Sequence, residues 1–301
     1  MTTSQEQPSL RIDLHTHSTA SDGLLAPAAL VRFAREQGLD LIALTDHDTT
    51  AGVAEAQAEG ERIGLVVIDG IEINTDLPTG GEAHVLGFYL DASTPEFQAT
   101  LTALRDARER RGERMVEKLR AQGLDVSWER VRELAQGSVG RPHVAKALIE
   151  RGYARDVPDA FDQWLSRGRP GYEPRLKLSP ANAVRFIRSG RGVPALAHPA
   201  DVPNLETVVL PAMVEAGMLG LECHYGEYDE ATVRHLLDLA AQYHLIPTGG
   251  SDYHGPNMHP TPLGGRAVPA EAATQLREHA DALRQQPAPA FDLDAALEKA
   301  D

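Results

Sequence analysis

Arg11-Ile12-Asp13-Leu14-His15-Thr16-His17-Ser18-Thr19-Ala20-Ser21-Asp22 is the stretch on which the reading of the fold turns. Leu10, Ile12 and Leu14 alternate with Arg11, Asp13 and His15, the period of a short strand. His15 and His17 are two apart, so on an extended chain their side chains leave the same face. Two imidazoles aimed at one point, with the Asp22 carboxylate close behind, make the first half of a metal site. A lone His-x-His is more often a pair of half-exposed strand residues. The recurrence of His, Asp and Glu at later strand ends decides against that here.

Outward from this strand, helical and apolar runs alternate. Pro27 opens a predicted helix over 27–38, with Leu30, Phe33 and Ala34 as its apolar stripe and Gly38 as its stop. Residues 39–45 read as a buried strand ending at Asp46-His47-Asp48, then come a helix over 50–64 and a strand over 65–68 leading to Gly70-Ile71-Glu72. Repeated strand–helix–strand units predict a parallel sheet with helices outside, and ligands gather beyond the carboxyl ends of such strands. A turn at Pro78-Thr79-Gly80-Gly81 precedes a strand over 83–90 carrying His84.

The pattern then changes to a long helix over 95–123 and shorter ones over 127–136, 143–152 and 159–166, so 100–178 reads as a helical insertion. Arg105, Arg108, Arg111 and Arg114 form a basic face, read as solvated and partnered by Asp106, Glu109 and Glu113. Alternation resumes with a helix over 179–190, Ser179 as its N-cap. A strand over 193–197 ends at His198-Pro199, and helices over 208–216 and 230–244 flank a strand over 220–223. A last strand over 245–248 ends at Gly249-Gly250-Ser251-Asp252-Tyr253-His254. The expected organisation is a barrel of 10–99 and 179–284 with the insertion 100–178 covering the substrate, and a weakly packed tail from about 285.

Composition narrows the function. The chain has 301 residues, a net charge of −15 and 42% hydrophobic residues, a folded globular protein unsuited to broad non-specific binding of nucleic-acid backbone. Cys223 is the single cysteine, which excludes an internal disulfide and a thiolate zinc cluster. No run approaches the ~18 apolar residues of a membrane span, so the expected setting is the cytoplasm, with no membrane contact.

The strand-end positions together supply His15, His17, Asp22, His47, Glu72, His84, His198, Asp252 and His254, six of the chain's 12 histidines among them. His235, His244, His259 and His279 read as surface or helix residues, and His224 is left outside the set. Imidazoles and carboxylates without thiolate suit Zn²⁺, Mn²⁺ or Fe²⁺. Nine ligands exceed the coordination number of one ion, about 4–6, but serve two or three if Glu72 bridges. Clustered ions roughly 3.5–4 Å apart activate water and hold phosphoryl oxygens, the chemistry of phosphoester hydrolysis.

His15-Thr16-His17 with Ser21-Asp22-Gly23, Leu44-Thr45-Asp46-His47-Asp48, Gly70-Ile71-Glu72, Ala83-His84-Val85-Leu86-Gly87, Leu196-Ala197-His198-Pro199 and Gly250-Ser251-Asp252-Tyr253-His254 resemble, in order, the motifs of the polymerase and histidinol phosphatase (PHP) family. The resemblance implies a distorted (β/α)7 barrel with a trinuclear metal centre. One ion would be held by His15, His17, Glu72 and Asp252, the second by Glu72, His84 and His198, the third by Asp22, His47 and His254, with Mn²⁺ favoured. A metal-bridging hydroxide would attack phosphorus, and Asp22 or His254 would assist the leaving oxygen.

The helical insertion with Gly140-Arg141-Pro142-His143 resembles the branch of nucleoside 3′,5′-bisphosphate phosphatases and 5′→3′ exoribonucleases. That branch implies Arg141 and His143 as phosphate anchors, with Asp22 and His47 also facing the substrate; otherwise they are a helix-start arginine and a capping histidine. The implied partner is a nucleotide or short RNA, with no obligate protein partner. Histidinol-phosphate phosphatase and a non-catalytic metal-binding module are the competing expectations.

Overall fold

The computed structural model describes residues 10–77, 81–135, 139–173, 177–256, 258 and 260–298. The polar segment 1–9, the turn at 78–80, the last residue of the 127–136 helix, His259 and the Arg108 side chain lie outside what is described. The elements run β1 (Ile12–Thr16), α1 (Pro27–Glu36), β2 (Leu41–Leu44), α2 (Val53–Ile63), β3 (Val66–Asp76), β4 (Glu82–Phe88), α3 (Pro95–Ala121), α4 (Trp128–Ala135), α5 (Arg141–Glu150) and α6 (Val157–Ala160). They continue with α7 (Pro180–Ser189), β5 (Val193–Leu196), α8 (Leu210–Glu215), β6 (Gly220–Tyr225), α9 (Glu230–Gln242), β7 (Ile246–Gly250), α10 (Ala270–Arg284) and α11 (Leu293–Glu298).

The seven strands form one sheet in sequence order, β1 to β7. β1, β2 and β3 are parallel, as are β5, β6 and β7, but β4 is antiparallel to both its neighbours. This corrects the expectation of an all-parallel sheet. The link between β3 and β4 is too short for a helical crossover, so the chain returns as a hairpin with Asp76 opposite Glu82. The hairpin also makes β3 longer than expected, so that Glu72 lies within a strand and not beyond its end.

The sheet curls into a nearly closed barrel. Thr16 pairs with Tyr253 beyond β7, and the His17 amide donates to the Tyr253 carbonyl at 2.9 Å. Closure needs glycine at 250: a Cβ there would lie 2.5 Å from His15 Cβ and 2.6 Å from His15 N. Ile12, Leu14, Ala43, Ile68, Leu86 and Ala195 fill one apolar cluster; Leu30, Val31, Ile42 and Leu44 seat α1 on the sheet in another.

Local chemistry sets the helix ends. The Ser179 and Asp229 side chains accept the amides of Asn182 at 3.3 Å and Thr232 at 2.8 Å, capping α7 and α9. Gly64 closes α2 at φ 74°, a left-handed stop. The tail departs from the sequence expectation. Asn182 Nδ2 donates to the Ala296 carbonyl at 2.7 Å and the Phe291 ring lies 5.3 Å from Phe186, so α11 packs on α7.

The chain divides into two compact units, one running to Gln98 and again from Leu178, the other Ala99–Lys177. The second has its own core of Met115, Leu119, Val131, Val144, Leu148 and Leu165. Within it, Arg111 Nε donates to the Glu173 carbonyl at 2.8 Å, and Arg114 and Lys118 reach the Glu173 carboxylate at 3.1 and 2.7 Å. Glu173, distant in sequence, thus takes a partner's place for which the neighbouring acids of α3 were expected.

Candidate metal centre

Each strand end delivers its donor for a local reason. On β1 the alternation sends His15 inward, and His17 follows on the same side, ring centroids 5.2 Å apart. Beyond β2 the chain stays extended for one bridge, His47 beside Glu72, with the Asp48 amide donating to the Glu72 carbonyl at 2.9 Å. His198, just after β5, and Asp252, just after β7, both turn at positive φ, 26° and 53°. Such conformations are costly for non-glycine residues and cluster where surrounding contacts impose them.

Glu72 is the hub, buried at 1% exposure in the middle of five imidazoles. Its Oε2 lies 2.9 Å from His47 Nδ1, 3.2 Å from His17 Nε2 and 3.4 Å from His15 Nε2. Its Oε1 lies 3.0 Å from His84 Nδ1 and 3.5 Å from His198 Nε2. Asp252 Oδ1 faces the same space, 3.1 Å from His17 Nε2 and 3.2 Å from His15 Nε2. On the outer side Asp22 lies 3.2 Å from His254 Nε2 and 3.6 Å from His47 Nε2.

Among the described residues three groups of donors are close enough for an ion each: His15, His17, Glu72 and Asp252; His47, Glu72 and His84; His17, Asp22, His47 and His254. The first group has the composition expected for one ion. The second has His47 where His198 was expected, and the third adds His17. His198 stands at the edge of the second group, its ring 4.9 Å from that of His84.

The electrostatics are those of a site built around positive charge. Burial alone would raise Glu72, but His47, His15 and His84 outweigh it and hold its carboxyl well below the usual range. Asp252 is held low in the same way, against burial, by His15 and His17. Burial would depress His15, yet Asp252, Glu222 and Glu72 keep it well above an ordinary imidazole. Against the same burial, Asp252 and Glu72 raise His17 to about 10. His47 goes the other way, because burial there exceeds the pull of Glu72.

His15 Nε2, both nitrogens of His17, His47 Nδ1, Glu72 Oε2 and Asp252 Oδ1 are buried without a hydrogen bond of acceptable geometry. Native interiors rarely tolerate such a concentration of orphaned polar atoms. They belong to the three overlapping donor groups, and divalent cations are what this donor set fits.

Sequence reasoning missed the residues that hold these donors. Glu222, fully buried on β6, accepts from His15 Nδ1 at 3.0 Å and from the His198 amide at 2.7 Å. Asp13 accepts from the Ser251 amide, the Ser251 hydroxyl and the Gly264 amide at 3.0, 2.6 and 2.9 Å. The Tyr225 hydroxyl donates to Asp252 Oδ2 at 3.1 Å. The available signal was an acid within an apolar strand, since a carboxylate between Leu221 and Cys223 needs a partner to be buried there.

Arg141 and His143 open α5 in the other unit. The Arg141 guanidinium lies 5.3 Å over the Phe161 ring, and His143 Nδ1 accepts the Gly140 amide at 3.0 Å, a capping interaction. Among the described residues no helix is long and apolar enough to cross a membrane.

Comparison with known proteins follows the same lines. The family model of the PHP domain matches residues 13–166. The 5′-3′ exoribonuclease Rnm of Salmonella typhimurium is 35% identical over 255 residues, covering 81% of this chain and 85% of that one. A phosphoribosyl 1,2-cyclic phosphate 1,2-diphosphodiesterase of Eggerthella lenta is 32% identical, covering 86% and 99%. A 3′,5′-nucleoside bisphosphate phosphatase of Chromobacterium violaceum is 30% identical, covering 85% and 90%.

Proposed function

The chain belongs to the PHP family of metal-dependent phosphoesterases, and on that premise we propose that it acts on nucleoside 3′,5′-bisphosphates, releasing the 3′-phosphate, and on short 5′-phosphorylated RNA, releasing nucleotides 5′→3′. The observation that carries this reading is the overlap of three donor groups at Glu72, His17 and His47, a framework for several ions acting on one phosphoester. The exoribonuclease and bisphosphate phosphatase relatives supply the substrate class.

In this reading His15, His17, Glu72 and Asp252 would hold one ion, Glu72, His84 and His198 with His47 a second, and Asp22, His47 and His254 a third; Mn²⁺ suits this mixed N/O set. Bound there, divalent ions act as Lewis acids that make water nucleophilic near neutral pH and offset charge on the phosphoryl oxygens.

The chain's own groups bind and orient the substrate. Asp22 has a half-exposed side chain, 54%, so its side of the centre meets the incoming phosphoester. His254 Nδ1–H donates to the Asp252 carbonyl at 2.9 Å, which leaves Nε2 facing Asp22 Oδ1. As ligands, that carboxylate and that Nε2 carry no proton of their own, so the pair would orient the departing oxygen while water supplies its proton. Arg141, with its planar fork of donors, and His143 would bind a phosphate. A cytoplasmic setting fits a chain with one cysteine and nucleotide substrates.

The test is phosphate release from adenosine 3′,5′-bisphosphate beside mononucleotide release from a short 5′-phosphorylated RNA, with Mn²⁺ added. Turnover of either one supports the nucleotide reading. The Eggerthella lenta relative favours a second substrate, a cyclic phosphodiester on ribose, and a third reaction vessel tests it. Activity on that diester or on histidinol phosphate alone overturns the nucleotide assignment.

A further inference from the structure

Strand β6 contributes none of the donors assigned to the ions, yet it touches the centre on two sides. Glu222 sits within it at 0% exposure, flanked in sequence by buried Leu221 and Cys223. Its Oε1 meets His15 Nδ1 at 3.0 Å and its Oε2 meets the His198 amide at 2.7 Å. His15 comes from β1 and His198 follows β5, so one carboxylate spans two strands that are not neighbours in the sheet. Three residues on, Tyr225 donates to Asp252 Oδ2 at 3.1 Å.

We infer that Glu222 is a positioning residue of the metal centre, its two oxygens fixing the His15 ring and the His198 backbone so that donors from β1 and β5 meet across Glu72. The inference rests on the metal-centre reading above. By accepting from Nδ1–H, Oε1 selects the His15 tautomer whose Nε2 lone pair faces Glu72 and Asp252, 3.4 and 3.2 Å away. By accepting the His198 amide, Oε2 holds a residue whose φ of 26° and ψ of 60° would otherwise relax. Without that bond the His198 ring, 3.5 Å from Glu72 Oε1, has no fixed approach to the hub.

Glu222→Gln keeps size and burial but has one acceptor oxygen for two donors, so either His15 or His198 faces an NH₂ group. Mn²⁺ titration of the full-length apo protein by calorimetry, with metal content measured after desalting, reads the effect directly. The expected result is a wild type that binds two or three ions and a variant whose affinity for at least one of them falls about 10–100-fold, with circular dichroism unchanged. An identical isotherm for the folded variant overturns the positioning role. A wild type that binds no ion overturns the metal-centre reading itself.

Should Glu222→Gln fail to fold, ¹⁵N-resolved histidine spectra of the wild-type protein loaded with diamagnetic Zn²⁺ decide the matter. The inference requires His15 to carry its proton on Nδ1, and a His15 protonated on Nε2 overturns it.

Discussion

Asp46 holds Ser18 with both carboxylate oxygens, Oδ1 accepting the Ser18 amide at 2.7 Å and Oδ2 the Ser18 hydroxyl at 2.7 Å. Oδ1 also accepts from Ser21 Oγ at 2.7 Å, and Ser21 Oγ lies 3.2 Å from Asp22 Oδ1. The loop after β1 is therefore tied to the end of β2 immediately before Asp22. Asp46→Asn leaves one acceptor for three donors and is expected to cost about 2 kcal/mol, as lost charge-assisted hydrogen bonds do. Urea unfolding of the apo protein measures that cost. Metal content should fall by the ion that Asp22, His47 and His254 hold, and a variant with full stability and full metal content would refute the tie.

Glu72→Gln should do more damage to the metal than to the fold. The substitution removes the charge that faces five imidazoles, and an amide bridges two cations poorly. At least one ion should be lost by elemental analysis, and kcat on the best phosphoester should fall on the order of 10²–10³-fold, as when a preorganised electrostatic group is removed. Retention of every ion would show that Glu72 is no bridge.

These positions were unequally legible in the sequence. Polar residues that end apolar runs stand out, so His47, Asp252 and His254 could be read directly, and a spacing of two placed His15 and His17 on one face. Direction was not legible in the alternation over residues 83–90, which marks a strand either way; the signal against a wholly parallel sheet was the short link before β4, too brief for a helical crossover. Glu222 was passed over because its partners are 207 and 24 residues away. Tail packing through Asn182 and Ala296 was equally invisible, being a side chain-to-backbone bond across 114 residues.

Metal uptake should release protons. In the apo centre His17 is raised to about 10 and His15 well above its usual value, by buried carboxylates in both cases. The sign is that of groups raised on folding: the stability they lend the apo protein is complete below about pH 6.5 and is lost as pH rises through the folded value. Glu72 and Asp252 are depressed, so what they lend is present above about pH 4.5 and is lost as pH falls. At pH 8 an entering ion displaces the histidine protons. Calorimetric titration with Mn²⁺ in two buffers of different ionisation enthalpy should show that release, with apparent affinity rising between pH 6 and 9. Heats independent of buffer at pH 8 would mean that these imidazoles are already neutral.

Arg141 separates a substrate role from a structural one. Its guanidinium lies 5.3 Å over Phe161, a contact that lysine reproduces in charge but not in planar shape. If the fork grips a phosphate, Arg141→Ala raises KM about 10–100-fold, the worth of one or two charge-assisted hydrogen bonds, and leaves metal content and kcat near wild type. Arg141→Lys should recover little, because an ammonium cannot make the bidentate pair. A purely structural role gives a different pattern. Both variants would then keep the wild-type KM, and the alanine variant alone would melt earlier through loss of the Phe161 contact. The comparison of KM with Tm across the two substitutions therefore decides whether the start of α5 belongs to the substrate site or only to the helix.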